Sequence, residues 1–171
     1  DFPAQFMLVA AMNPCPCGFY PNLSRCHCSY TAVRRYQEKI SMPLLDRMDM
    51  MIEVSALSYP QWNQKTQEMS STQMKKKVER VREIQKERRK GQSFLFNSRM
   101  GNQELEEYCA LGTQEKKLMK KAFDELKISA RGYTKILKVA RTIADLEEKE
   151  QIQTEHLQEA LCYRIGNGIY R

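Results

Sequence analysis

Residues 6–18 read FMLVAAMNPCPCG, and the change of character inside this stretch sets the reading of the whole chain. Phe6 to Met12 is apolar without a break. That is the pattern of a strand buried on both faces, as in a parallel sheet covered by helices. Asn13-Pro14 ends the run. Asn13 therefore stands at the carboxyl end of an expected buried strand, where α/β folds gather ligands. The plainer reading of Asn13 is a turn residue. Residues 14–29 form a loop rich in Pro, Gly, Asn and Ser that holds four cysteines.

Further along, Ser29 or Thr31 is placed to cap a helix running to about Lys39. Ser41 to Arg47 reads as a helical turn started by Pro43. Met50 to Val54 reads as a second strand. After Ser55 the strand signals stop. Residues 58–63 read as a linker carrying Trp62, and helical patterns follow. Residues 70–90 form a long charged helix with a thin stripe at Met74, Val78, Val81 and Ile84, stopped by Gly91. A short helix spans Asn102 to Cys109. Thr113 is expected to cap a helix over 114–127, Ser129 one over 130 to about 148, and Thr154 one over 155–164. The expected fold is mainly α with a small αβ part. Two parallel-type strands and the Cys-rich loop fill 1–57, and a helical domain fills 58–171.

Net charge is +7 over 171 residues, and it is unevenly spread. Residues 71–90 hold nine basic against three acidic side chains. Lys75, Lys76, Lys77, Arg80 and Arg82 in this stripe could meet nucleic-acid phosphate. The alternative is a solvated helix in which Glu79, Glu83 and Glu87 pair with neighbouring bases. The longest apolar run, Phe6 to Met12, is too short to span a membrane. Asp1-Phe2-Pro3 offers no basic n-region or long apolar h-region, which leads to an expectation of a cytoplasmic protein. The absence of Met at the first position suggests a piece of a longer chain.

A cytosol keeps thiols reduced, so the six cysteines are expected free or metal-bound. Cys109 and Cys162 fall at apolar helix positions and are assigned to packing. Cys15, Cys17, Cys26 and Cys28 form two Cys-x-Cys pairs in one loop. Four thiolates gathered by a short loop suit a closed tetrahedral zinc site that stabilises structure. Free, partly buried thiols are the alternative, and disulfides come third. His27, between Cys26 and Cys28, ranks as a spare ligand.

Two arginines stand out. Arg47 follows "SMPLLD" and could pair with Asp46 or Asp49, or project from the domain edge. On the helix from residue 130, Tyr133, Ile136, Leu137, Ala140, Ile143 and Ala144 share one face. Arg131 lies almost opposite them, in the first turn, where a cation opposes the helix dipole. Such a placement suits a nearby anion, and a guanidinium fits a phosphate.

Three blocks, "FMLVAAMNPCPCG", "RRYQEKISMPLLDRMDMMIEV" and "SARGYTKILKVARTIADL", resemble the magnesium-chelatase-like AAA+ ATPases of the ComM/YifB type over nearly the whole chain. The resemblance implies that Asn13 is the sensor-1 residue that orients the attacking water. It implies that Arg47 is the arginine finger reaching a neighbouring subunit's nucleotide, and Arg131 the sensor-2 arginine. Nothing matches Gly-x₄-Gly-Lys-[Ser/Thr], and no strand ends in an Asp-Glu pair for Mg²⁺. The chain thus reads as the C-terminal portion of such an ATPase, with ATP and Mg²⁺ held mainly by residues elsewhere and no hydrolysis expected from this part alone. The family resemblance further implies a hexameric ring that acts on DNA in recombination and natural transformation. Two other readings are an ATPase subunit that drives metal insertion into a porphyrin, and a zinc-stapled basic nucleic-acid-binding module. The family's chelatase subunits lack the cysteine pairs, which weighs against the first. The ordered set Asn13, Arg47, Arg131 weighs against the second.

Overall fold

A computed structural model describes residues 6–63, 69–88 and 96–165. The chain divides into two compact units, with the boundary between Leu45 and Asp46. Among the described residues there are eight α-helices and one 3₁₀ turn.

The first unit is the cysteine loop and the helix that follows it. Helix α1 (Tyr30–Gln37) starts at Ser29, whose hydroxyl accepts from the Ala32 N–H at 3.3 Å. That satisfies one of the donors a helix N-terminus leaves open. Val33 is the buried residue of α1, and the Gln37 amide donates to the Pro14 carbonyl at 3.1 Å, tying the helix back to the loop. Helix α2 (Met42–Arg47) begins as expected around Pro43 and carries the unit boundary within it.

The expected strands do not form. Phe6 to Met12 and Met50 to Val54 enter no strand ladder among the described residues. Val9 is 81% exposed and Val54 87%. An apolar run supplies a face for burial, but a strand also needs a neighbouring backbone for its N–H and C=O groups. Met51 makes one such bond, its N–H donating to the Tyr163 carbonyl at 2.7 Å. The expected linker at 58–63 contains a short helix, α3 (Tyr59–Asn63).

The second unit is built around one helix. Helices α4 (Ser71–Arg88), α5 (Asn102–Tyr108), α6 (Thr113–Leu126), α7 (Ala130–Leu146) and α8 (Thr154–Ile165) are present, and α4, α5, α8 and the 3₁₀ turn Asn97–Arg99 all pack on α7. The face expected from periodicity is buried: Ile136, Leu137, Ala140, Ile143 and Ala144. Met119 and Ala122 of α6 and Leu157, Ala160 and Leu161 of α8 complete the core with Met100, Leu105, Cys109 and Ile152. Cys109 is buried as expected, but Cys162 is exposed. The buried face of α8 runs through Leu157, Ala160 and Leu161, and Cys162 turns about 100° away from it. Thr113 is the first residue of α6 and Gly112 takes the N-cap position. Likewise Thr154 lies inside α8, where its hydroxyl donates to Glu115 at 2.7 Å instead of capping. Gly91 lies outside the described residues.

Helix α4 docks through the C-terminal half of its expected face. Val81 and Gln85 are buried, whereas Met74 and Val78 are exposed. The reason is a buried carboxylate. Asp145 of α7 accepts from Arg141 Nε at 3.0 Å, Gln85 at 3.2 Å, Asn97 at 2.9 Å and Arg88 Nη1 at 3.1 Å. Arg141 also donates to the carbonyls of Glu150 and Lys149 just past α7. A buried carboxylate with this many donors is satisfied, and burial of Arg141 pulls its guanidinium pKa down while Asp145 opposes the shift. Removing one partner would leave an uncompensated charge. Asp145→Ala is therefore expected to destabilise the α4–α7 docking by about 3–5 kcal/mol. Hydrogen exchange of α7 amides under denaturant measures it. Arg80→Ala, which removes an exposed pair with Glu148 at 3.2 Å, should change that exchange little.

Candidate functional site

Two constellations carry chemistry, one in each unit. In the first, Cys15 to Cys28 wrap into a tight loop. The Gly18 N–H donates to the Cys15 carbonyl at 3.0 Å, closing a turn in which Gly18 has φ +81°. Only glycine takes that conformation readily. A second turn follows, with the Cys26 N–H donating to the Asn22 carbonyl at 2.8 Å. The result brings all four Sγ atoms within 4.8 Å of one another. Cys15 lies 3.3 Å from Cys17 and 3.8 Å from Cys26, and Cys17 lies 3.5 Å from Cys26. Zinc–thiolate bonds of about 2.3 Å give a tetrahedron with sulfur–sulfur edges of roughly 3.8 Å. The loop is already near that size. His27 is exposed and is not one of the four clustered ligands.

The electrostatics divide the thiols into two and two. Cys17 is held down at about 6 by the Phe19 N–H, against burial and with help from the thiols of Cys15 and Cys28. Burial pushes Cys15 up, but the Tyr20 N–H, 3.5 Å from its Sγ, and the Cys26 thiol outweigh it, so Cys15 is lowered. The Cys28 N–H favours the Cys26 thiolate, yet burial and the thiols of Cys17 and Cys15 push Cys26 up to about 12. Cys28 is raised as well, the Cys17 N–H being outweighed by the Cys17 thiol and burial. Four thiolates this close would repel one another, and a cation at the centre would offset that repulsion. These four side chains could hold a metal ion. Asn13 is exposed on the strand-like approach to the loop, with its amide 3.6 Å from where a Cβ on Gly18 would lie.

In the second unit, the end of α2 meets the start of α7. Ser129 caps α7, accepting from the Gly132 N–H at 2.9 Å, and its hydroxyl donates to Asp46 Oδ1 at 2.9 Å. Arg164 of α8 donates to the same Oδ1 at 2.5 Å, to the Asp46 carbonyl at 3.1 Å and to the Met48 carbonyl at 2.5 Å. Arg131 Nη1 sits 3.8 Å from Asp46 Oδ2, with 58% of its side chain exposed. An anionic group, the Asp46 carboxylate, thus lies beside this cation. Lys135 donates to the Arg47 carbonyl and pairs with Asp49 at 2.9 Å. Asp46 and Asp49 are both engaged by these other cations, and the Arg47 side chain is exposed. Gly132 leaves room within the first turn of α7: a Cβ there would lie 3.0 Å from Ile128 Cγ2 and 3.3 Å from Ser129 Oγ.

Residues 68–164 match the family model for the C-terminal part of magnesium chelatase subunit ChlI, and residues 1–62 match the model for magnesium chelatase subunit ChlI. The chain belongs to this family. It is 43% identical over 167 residues to a Haemophilus influenzae protein called competence protein ComM, an alignment covering 96% of this chain and 31% of the relative. Proteins called YifB from Salmonella typhimurium and Escherichia coli are 38% and 37% identical, each over 95% of this chain and 31% of the relative. The chain spans about a third of the length of these curated relatives. No described helix is long and apolar enough to cross a membrane.

The basic stripe is partly committed to the fold. Arg80 pairs with Glu148 at 3.2 Å, and Arg82 lies 5.7 Å from the centre of the Phe96 ring. Lys75 pairs with Glu79 at 3.8 Å, and Lys76 and Lys77 are exposed beside it. Asp46, Lys135 and Arg164 were not legible as site residues. Their only local signal is the acidic-basic pair Asp46-Arg47, and their partners lie far away in sequence.

Purified protein is expected to carry about one equivalent of a thiophilic metal per chain, read by elemental analysis. Cys26→Ser should lower that stoichiometry and loosen the loop. A folded, metal-free wild-type protein would refute the site.

Proposed function

We propose that this chain is the finger- and sensor-bearing part of an ATP-hydrolysing AAA+ motor of the ComM/YifB type, working on DNA in the cytoplasm as a ring, with a hexamer as the expected size. In this reading Asn13 orients the attacking water, Arg47 reaches a neighbouring subunit's nucleotide, and Arg131 supplies further positive charge to the phosphates. ATP and Mg²⁺ are held mainly by parts of the longer protein that this chain does not contain. The αβ core is then completed by those parts, which would cover the exposed apolar run from Phe6 and pair it as a strand. Phosphoryl transfer asks the protein chiefly for positioning and for positive charge around the transferring group.

One observation carries the proposal: the Asp46 junction, which binds the turn bearing Arg47 to the first turn of the helix bearing Arg131. Two guanidinium groups distant in sequence are thereby offered from one junction, as a shared phosphate would require. Family membership supports this reaction class. The name of one relative, a competence protein, supports DNA as the polymer acted on, over metal insertion into a porphyrin. Lys75, Lys76 and Lys77 are then the residues of α4 best placed for phosphate, with Arg80 and Arg82 secondary because both also serve packing. Zinc is the ion that suits the four thiolates, as a closed structural site with no position left for substrate.

In the full-length protein, Arg47→Ala is expected to lower ATP turnover by about 10³-fold or more while nucleotide binding persists. Steady-state hydrolysis and equilibrium nucleotide titration together measure this. Wild-type turnover in the variant would remove the finger assignment.

A further inference from the structure

Arg47 is the exposed member of a turn whose other polar groups are held from behind. Asp46 Oδ1 receives Ser129 and Arg164, the Asp46 and Met48 carbonyls receive Arg164, the Arg47 carbonyl receives Lys135, and Asp49 pairs with Lys135. Arg164 is only 11% exposed, and it passes the start of α7 beside Gly132. Planar, multidentate arginine contacts of this kind define a geometry more narrowly than a single ammonium does. Ser129 at the cap of α7, Lys135 of α7 and Arg164 of α8 therefore fix the backbone on both sides of the exposed Arg47.

We infer that Asp46 and Arg164 are positioning residues for ATP turnover: they touch no nucleotide and act by fixing where Arg47 stands. The inference rests on the finger assignment made above. A misplacement of about 1 Å in a group that acts on a transition state can cost on the order of 10²-fold in rate. Asp46→Asn keeps an oxygen for the Ser129 hydroxyl but removes the charge that Arg164 and Arg131 face. Asp46→Glu keeps the charge one methylene further out.

The test uses the full-length protein, with ATP as the probe, and compares Asp46→Asn, Asp46→Glu, Arg164→Lys and Arg47→Ala with wild type. Expected for Asp46→Asn is a kcat roughly 10- to 100-fold lower, with KM for ATP, nucleotide affinity and ring size by sedimentation all close to wild type. Asp46→Glu should recover most of that loss. Arg164→Lys should fall in kcat as Asp46→Asn does, and it decides the matter if Asp46→Asn proves insoluble. Wild-type kcat in Asp46→Asn or Arg164→Lys, alongside an inactive Arg47→Ala, overturns the positioning role alone. So does a kcat loss that is matched by equal losses of nucleotide affinity and ring assembly, which marks general damage. Wild-type kcat in Arg47→Ala overturns both the finger reading and this one.

Discussion

The second unit depends on a single buried carboxylate. Asp145 is fully inaccessible to solvent, and four side chains converge on it from α4, from the 3₁₀ turn and from its own helix. Two of the four are guanidinium groups, so its charge is more than matched. The excess is met at Arg141, which also donates to the carbonyls of Lys149 and Glu150 in the segment after α7. The arrangement is demanding, since desolvating charges costs energy that only complete hydrogen bonding offsets. It is also specific, because it admits one placement of α4 along α7. An apolar stripe alone would let α4 slide or rotate. With its far end set in this way, α7 presents its N-terminal turn in a defined place, and that turn carries Ser129 and Arg131.

Much of the helical layout follows from local signals. Ser29 and Ser129 were legible as caps because a short hydroxyl beside a helix start has one natural use, accepting from an open N–H. The apolar face of α7 and the outward position of Arg131 followed from a period of about 3.6 residues. Where the reading failed, the deciding partner was distant or polar. Phe6 to Met12 has the composition of a buried strand, but pairing is a property of two segments. On α7, Arg141 and Asp145 look like an ordinary exposed i,i+4 pair, although they flank Ala144 on the buried side. On α4, the stripe of Met74, Val78, Val81 and Ile84 predicted a docking face along the helix, and Gln85 and Arg88 reaching for Asp145 confine the docking to its C-terminal half.

The site was legible in part for the same reason. Four cysteines in fourteen residues announce themselves, and the turns at Gly18 and Asn22 that gather them are short-range. Asp46 was visible only as a neighbour of Arg47. Its partners Ser129 and Arg164 lie 83 and 118 residues away, and no local pattern encodes them. Gly132 was equally silent. Its role is to leave room beside Ile128 and the Ser129 hydroxyl, which only the folded chain displays.

The two arginines at Asp46 are held with different strength, and the difference has a physical consequence. Arg164 is nearly buried and reaches three acceptors, so releasing it would strand carbonyl groups as well as a carboxylate. Arg131 is mostly exposed and stands 3.8 Å from Oδ2, a separation at which solvent screens much of the attraction. A multiply charged anion arriving at the junction would compete with Asp46 for Arg131 on favourable terms and would leave Arg164 in place. Asp46 thus holds Arg164 through a nearly buried, multidentate contact and Arg131 through an exposed, longer one.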